Sequence, residues 1–242
     1  MTRLLATLRL PILVCWLCTL SLYSHATETP SFEALFNAQV NNDQLERLAK
    51  QLNIGESAQG KFTQYRYLKV LKQPLISQGE FIFKEQLGLA WLQHSPFESA
   101  LILTQGNLIQ IDSDGNKQLT QASDNQEANN LAQMMPTLMS ALLRGNIAPL
   151  AKQFSLHLVE GEQGWQLGLI PLDNLLAKAM SGIVLQGSHQ LDSLTLLSSN
   201  GDRSQIKFEQ LSNAPLSDKQ LDYFLDVTAP ESVTSPESLT TP

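Results

Sequence analysis

Few side chains of this sequence have the types and spacing that catalysis requires. Beyond the first 26 residues the histidines are His94, His157 and His189, each isolated in a predicted strand or turn. The sequence contains no H-E-x-x-H and no G-x-S-x-G motif, the signatures of zinc-dependent and serine hydrolases. Because an isolated strand histidine is most often structural or exposed, we predict no catalytic residue and no cofactor, and hence not an enzyme.

The segment Asp112-Ser113-Asp114-Gly115-Asn116 places oxygen ligands at alternate positions, as the beginning of an EF-hand calcium loop does. That loop requires glycine at its sixth position and a bidentate glutamate at its twelfth, whereas this sequence has Lys117 and Ser123. Asp, Asn and Gly are also the usual residues of a hairpin turn. We therefore predict a hairpin turn here and no metal site.

The first 26 residues have the composition of a cleavable secretion signal. Arg3 and Arg9 form its positive beginning, residues 10–22 form its apolar part, and Ser24-His25-Ala26 is a small-x-small cleavage site. The apolar part is too short for a membrane-spanning helix. We predict a mature protein in the periplasm, with residues 27–225 as its one domain and a monomeric state.

Charge and cysteine content restrict the function further. The formal net charge is −7, and it becomes more negative when Arg3 and Arg9 leave with the signal. Such a charge argues against binding to nucleic acid and against adhesion to anionic lipid head groups. Cys15 and Cys18 both lie within the signal, so the mature chain has neither a disulfide nor thiol chemistry.

Four short strands predicted between Gly79 and Gly115 carry apolar side chains on both faces. Period-two alternation places residues i and i+2 on one side of a strand. One side, which we predict to line a cavity, carries Phe81, Phe83, Leu89, Trp91, Leu101, Leu103, Ile109 and Ile111. The opposite side carries Ile82, Leu92, Ile102 and Leu108. A sheet that is apolar on both faces must be covered on both.

A helical stripe of apolar residues follows these strands. It begins after the capping-box sequence Ser123-Asp124-Asn125-Gln126, and Gly145 provides a stop. Pro136 should kink or divide the helix. Methionines at helical spacing are more often ordinary core, but methionine also suits a surface that repacks around ligands of variable shape. We predict a lid formed by Leu131, Met134, Met135, Leu138, Met139, Leu142 and Leu143.

The remaining pattern completes a mainly β fold. One or two helices are predicted over residues 30–52, with a break near Asn41, and a long strand follows Gly60 and ends before Pro74. Further strands are predicted over 154–160, 165–172, 183–187, 191–198 and 203–211, with a short helix over 175–180. Roughly ten or eleven antiparallel strands in a meander, with inserted helices, predict an incomplete barrel or a strongly bent sheet. Residues 226–242 have the composition of a disordered tail.

Several short motifs occur in an order that is known from one family. They are Gly60-Lys61-Phe62-Thr63-Gln64, Gly79 to Phe83, Trp91 with Pro96, Gly106, and Asp112. In this order and spacing the sequence resembles the LolA-like periplasmic lipoprotein carriers, best between Gln59 and Gln121. The resemblance implies an eleven-stranded half-barrel whose cavity is closed by helices. It also implies acyl-chain cargo, an inner-membrane donor complex and an outer-membrane acceptor.

One position departs from that family. Its members hold the lid closed with an arginine in the strand before the tryptophan, and the aligned residue here is Glu85. Lys84 is a neighbouring donor, and Arg144 is a candidate partner for Glu85, although lysine lacks the guanidinium fork. We predict a different latch, in which either Lys84 replaces the arginine as the donor or Arg144 pairs with Glu85, and a cargo that is a lipoprotein or another acylated lipid.

Two further functions remain open from the sequence. A non-enzymatic module that docks its apolar helix on a membrane protein would have a solid core under that helix. A hydrolase acting on lipids would need a cavity-facing histidine beside a carboxylate.

Overall fold

The computed structural model describes residues 31–52, 55–104, 107–121, 138, 141, 145 and 147–225. Within these residues the protein is mainly β, with one open antiparallel sheet of eleven strands and four α-helices. The predicted fold class is therefore confirmed. The predicted signal, six of the seven predicted lid residues and the predicted tail lie outside the described residues.

The sheet is a meander in which consecutive strands pair, except that β1 pairs with both β2 and β11. Its strand order is β6-β5-β4-β3-β2-β1-β11-β10-β9-β8-β7, so β6 and β7 form the two edges. The strands are β1 Ser57–Tyr67, β2 Leu75–Lys84, β3 Gly88–Ser95, β4 Ser99–Thr104, β5 Asn107–Ile111, β6 Lys117–Gln121, β7 Phe154–Gly161, β8 Gly164–Pro171, β9 Met180–Gly187, β10 Leu191–Ser198 and β11 Arg203–Ser212.

Three of the four described helices begin where a side chain caps them, and the first has no side-chain cap. They are α1 Glu33–Phe36, α2 Asn42–Leu52, α3 Asn174–Ala179 and α4 Asp218–Leu225, with a 3-10 turn at Leu150–Lys152. The Asn41 side chain accepts from the Gln44 N–H, and the Gln44 side chain accepts from the Asn41 N–H. This reciprocal capping box explains the break predicted near Asn41. Asp173 accepts hydrogen bonds from two N–H groups at the beginning of α3.

Some element boundaries differ from the sequence expectation. The first strand ends at Tyr67, because a turn closed by the Leu71 N–H and the Leu68 carbonyl begins there. Met180 begins β9 instead of ending a helix. Strand β6 and helix α4 were not individually predicted.

The face of the sheet that carries Phe81 and Leu167 is called the inner face. Leu108 on β5 and Leu158 on β7, close to opposite edges, belong to one buried cluster on this face. The sheet therefore bends around its own core, as a half-barrel does. Helix α2 covers part of the inner face with Leu48 and Leu52, which are 1% and 2% exposed.

The opposite, outer face is covered at two separate places. On β2 to β5, Phe224 of α4 packs into a second buried cluster with Ile82 and Ile102. On β7, the edge of the Phe36 ring of α1 meets the His157 ring at 6.1 Å between centroids. His157 also donates from Nδ1 to the Ala38 carbonyl at 2.8 Å. Each face is therefore covered in part, and His157 has a structural role.

Candidate functional site

The register of β2, β3 and β4 brings six of the predicted cavity residues together. Phe81 pairs with Trp91 and Phe83 pairs with Leu89 across β2 and β3. Across β3 and β4, Trp91 pairs with Leu101 and Leu89 pairs with Leu103. Because directly paired residues share one face, all six lie on the inner face.

Two predicted cavity residues lie on the outer face of the sheet, and one of them, Ile111, also borders the pocket described below. Ile109 pairs with Ile102 and Ile111 pairs with Ala100, so both isoleucines belong to the outer face beneath α4. Leu108 takes the inner position instead, opposite Leu103. The alternation within β5 was predicted correctly. Which of its two sides faces inward depends on how the β4–β5 turn makes β5 pair with β4.

One part of the inner face is sealed. Phe83, Leu89 and Leu103 are each 1% exposed and belong to the same buried cluster as α2. Leu138 is the one predicted lid residue within the described part of the chain; it is helical, 0% exposed and belongs to this cluster. Ala141, one helical turn further on, is 1% exposed. The described residues of the predicted lid therefore face the sheet. We call Phe83, Leu89 and Leu103 with their cover the sealed region.

The inner face is open further along the same strands. A pocket of about 460 Å³ lies over β3 to β6, where Trp91 and Leu101 are only half-buried. Gln110, which pairs with Leu101, and Gln118, which pairs with Gln110, give the pocket one polar side. We call it the open pocket, and its lining is Trp91, Gln93, Ser99, Ala100, Leu101, Gln110, Ile111, Asp112, Asn116, Lys117 and Gln118.

An aromatic cluster separates the open pocket from the centre of the sheet. The Trp91 ring stacks on the Phe62 ring at 3.8 Å between centroids, and Phe81 meets Phe208 edge-on at 5.4 Å. Gly79, opposite Phe62 in the register, leaves room for that ring, since a Cβ there would lie 2.8 Å from Phe62 Cζ. Neither Phe62 nor Phe208 was predicted to line the cavity. The period-two pattern of the first strand was the available signal.

The rim of the open pocket is the turn between β5 and β6. Asp112 accepts from the Asn116 side-chain amide and from the backbone N–H groups of Asn116 and Asp114, each at 2.9 Å. Hydrogen bonds from Asn116 are the main cause that lowers the pKa of Asp112. The hairpin-turn prediction is confirmed. Within the described residues, no group of three or more His, Cys, Asp or Glu side chains is arranged to hold a metal ion.

Gly145 lies close to helix α2. Its φ is +67°, the left-handed conformation expected of a helix stop. A Cβ at this position would lie 1.8 Å from the Ala49 carbonyl oxygen of α2. Glycine is therefore required both by the backbone conformation and by the close approach of α2.

The three predicted latch residues lie only partly within the described chain. Lys84 and Glu85 are half-buried at the end of β2. Lys84 pairs with Ser57 and with Gly88 in the sheet, and the Glu85 N–H donates to the Glu56 carbonyl at 3.0 Å. Arg144 and the lid residues Leu131, Met134, Met135, Met139, Leu142 and Leu143 lie outside the described residues, so the latch stays a prediction.

No helix among the described residues combines the length and apolarity needed to cross a membrane. Residues 55–223 match the family model described as outer membrane lipoprotein carrier protein LolA. No curated protein matches the sequence.

Several solved structures are similar in strand arrangement. A LolA superfamily protein from Nitrosomonas europaea is 11% identical, with a TM-score of 0.42 and coverage of 75% of this chain and 97% of that one. A chain in the MucA/MucB complex of Pseudomonas aeruginosa is 19% identical, with a TM-score of 0.40 and coverage of 74% and 59%. A DUF1329 family protein from Desulfovibrio piger is 8% identical, with a TM-score of 0.40 and coverage of 72% and 93%.

Proposed function

Since the chain belongs to the LolA family of outer membrane lipoprotein carrier proteins, we propose that it binds the acyl chains of a lipoprotein or another lipid on its inner face. It carries them through the periplasm toward the outer membrane. The observation that supports this most directly is the open pocket, whose apolar floor of Trp91 and Leu101 continues into the sealed region.

The energetics of an acyl chain fit such a surface. Burial of each methylene contributes about 0.8 kcal/mol, so a chain held on apolar side chains is strongly favoured over a chain in water. The open pocket of about 460 Å³ falls within the range of about 300–1,000 Å³ typical of ligand pockets. In this proposal the open pocket receives the first part of the acyl chain, and the rest of the acyl chain needs more room.

That room would come from the sealed region. Leu138 and α2 cover Phe83, Leu89 and Leu103 by apolar contact, which an acyl chain can replace with contacts of the same kind. Cargo entry then exchanges one set of buried apolar contacts for another. The free energies of the empty and the loaded state are then similar. A carrier must also release its cargo, and this similarity permits release.

The cellular part of the proposal rests on the sequence. Residues 1–26 would direct export and be removed, and residues 27–225 would act as a monomeric carrier. An inner-membrane complex would load it and an outer-membrane acceptor would unload it. The alternative, docking on a membrane protein through the apolar helix, predicts a solid core under that helix, and Leu138 is 0% exposed within such a core. The lipid test described next distinguishes the two functions, because a docking module would carry no lipid.

Lipid extraction tests the proposal. We expect protein purified from a native envelope to carry lipid that native mass spectrometry detects, and to bind the apolar fluorophore N-phenyl-1-naphthylamine. Leu101→Glu should abolish both, because it places a charge on the pocket floor.

Leu119→Glu is the matched control. Leu119 pairs with Ile109, so it lies on the outer face, and it is 54% exposed. This variant should retain lipid and fluorophore. Wild-type protein that carries no lipid and binds no fluorophore would contradict the proposal, and so would equal loss in both variants when circular dichroism shows both to be folded.

A further inference from the structure

The loop between β1 and β2 exposes large apolar side chains at its tip. Val70 is 88% exposed, Leu71 45%, Leu75 52% and Ile76 51%. Single exposed apolar residues are common on protein surfaces, but four within seven residues form a patch. We call residues 68–76 the apolar hairpin tip.

The apolar hairpin tip protrudes from the sheet and is held firmly. Pairing between β2 and β3 begins only at Gln78, so the first three residues of β2 extend beyond β3. The Lys69 N–H donates to Asp202 Oδ1 at 2.9 Å, and the Arg203 guanidinium lies 4.1 Å from the centre of the Tyr67 ring. The β10–β11 turn therefore anchors the hairpin, and its apolar exposure belongs to an ordered structure.

The charge of the hairpin itself is opposite to that of the whole chain, although the Asp202 carboxylate of the β10–β11 turn lies beside Lys69. The stretch from Arg66 to Gly79 contains Arg66, Lys69 and Lys72 and no acidic residue, whereas the formal net charge is −7. All three cationic side chains are exposed. The net charge argues against adhesion to anionic lipid, but it says nothing about how charge is distributed over the surface. Salt screens charges that are more than about 8–10 Å apart, so attraction to a membrane depends on the charges close to it.

The tip lies at the same end of the sheet as the rim of the open pocket. Strands alternate in direction, so the β1–β2, β3–β4 and β5–β6 connections share one end. The β3–β4 turn at this end exposes a further large apolar residue, Phe97, which is 73% exposed. A surface that meets the hairpin tip therefore also approaches the pocket rim at Asp112.

We propose that the apolar hairpin tip inserts into the surface of a bilayer that contains anionic phospholipid. Val70 and Leu71 enter the boundary between head groups and acyl chains, and Lys69 and Lys72 remain at the phosphate level, with their stems along the apolar surface. The contact holds the open pocket against the membrane, so that cargo crosses little water. This consequence for transfer rests on the proposed carrier function, whereas the membrane contact itself does not.

Vesicle flotation tests the contact with the full mature chain. We expect binding to vesicles of phosphatidylcholine with phosphatidylglycerol and little binding to phosphatidylcholine alone. Val70→Ser should weaken binding at least tenfold, whereas Val159→Ser should not. Val159 is the matched control because it is 39% exposed and lies toward the opposite end of the sheet.

The lysines provide a second variant. The double substitution Lys69→Gln and Lys72→Gln should weaken binding to anionic vesicles about 25-fold, since each lysine near the surface contributes about fivefold. It leaves the Lys69 N–H bond to Asp202 in place. In Val70→Trp, the added fluorescence should shift to shorter wavelength when anionic vesicles are added.

Three results would overturn the proposal: no vesicle binding by the wild type, equal weakening by Val70→Ser and Val159→Ser, or no blue shift in Val70→Trp. Failure of the carrier function gives a different pattern. Vesicle binding would then persist while N-phenyl-1-naphthylamine binding is absent. If the wild type binds the fluorophore normally but binds no vesicles, the membrane proposal is wrong, and an acidic protein surface becomes the partner to test for the tip.

Discussion

The sealed region and the open pocket lie on the same face of the same strands, yet they differ in what covers them. Leu103 and Leu101 are two residues apart on β4, and Leu103 is 1% exposed while Leu101 is half-buried beside a pocket. The sheet pattern is the same at both, so the difference comes from α2 and the segment of Leu138. An apolar face becomes core or binding surface according to its cover.

Leucine truncation along β4 should separate the two regions most strongly. We expect Leu103→Ala to lower the free energy of unfolding by about 2–5 kcal/mol, because it leaves a cavity in a closed core. Leu101→Ala should lower it by less than about 1.5 kcal/mol, because the site already borders empty space. Urea unfolding measures both values. Equal losses would show that the open pocket closes in solution.

A substitution at Gly145 should disturb the packing against helix α2. Gly145→Ala should lower the free energy of unfolding by about 1–3 kcal/mol, since a left-handed backbone and the Ala49 carbonyl both oppose a Cβ. It should also increase N-phenyl-1-naphthylamine binding by loosening the sealed region. Gly115→Ala is the control, with φ +81° and no atom within 4 Å of the Cβ. If both variants lower the free energy of unfolding equally, backbone strain alone explains the loss, and the close approach of α2 to Gly145 contributes nothing.

The open pocket can be made more like the sealed region. Gln110→Leu replaces its polar side with an apolar one and should strengthen fluorophore binding by roughly five- to tenfold, as about one more buried apolar group predicts. Fluorescence titration measures the change. Gln163→Leu, in the exposed β7–β8 turn, should leave the affinity unchanged. An unchanged affinity in Gln110→Leu would place the fluorophore elsewhere.

The smallest effect concerns the pocket rim and pH. Hydrogen bonds lower the pKa of Asp112 in the folded state. The ionised side chain therefore stabilises the folded state, and this stabilisation is fully present above the unfolded pKa of about 4. It is lost as the pH falls through the lower folded pKa. The difference in unfolding midpoint between wild type and Asp112→Ala should be constant between about pH 5 and 7 and should narrow below about pH 4. A constant difference at all pH values would exclude the charge of Asp112 as its cause.

Much of the fold could be predicted because its signals are local. Alternation gave the strands and six inner-face residues, and turn residues gave the hairpin at Asp112. Helix α4 was missed although Ser217 and Gln220 form a capping pair, in which the Gln220 side chain accepts from the Ser217 N–H at 2.9 Å. Its eight residues form too short a stripe, and its role depends on Phe224 reaching a distant sheet.

By itself the sequence determined the strands, their alternating faces and the family, because these follow from residue type, spacing and short motifs in order. Only the tertiary structure decided that Leu108 instead of Ile109 faces inward, and that Leu103 is sealed while Leu101 borders a pocket. The physical reason is that alternation fixes only the relative sides within one strand. Which side becomes inner depends on pairing across a turn, and burial depends on helices packed from far away in the chain.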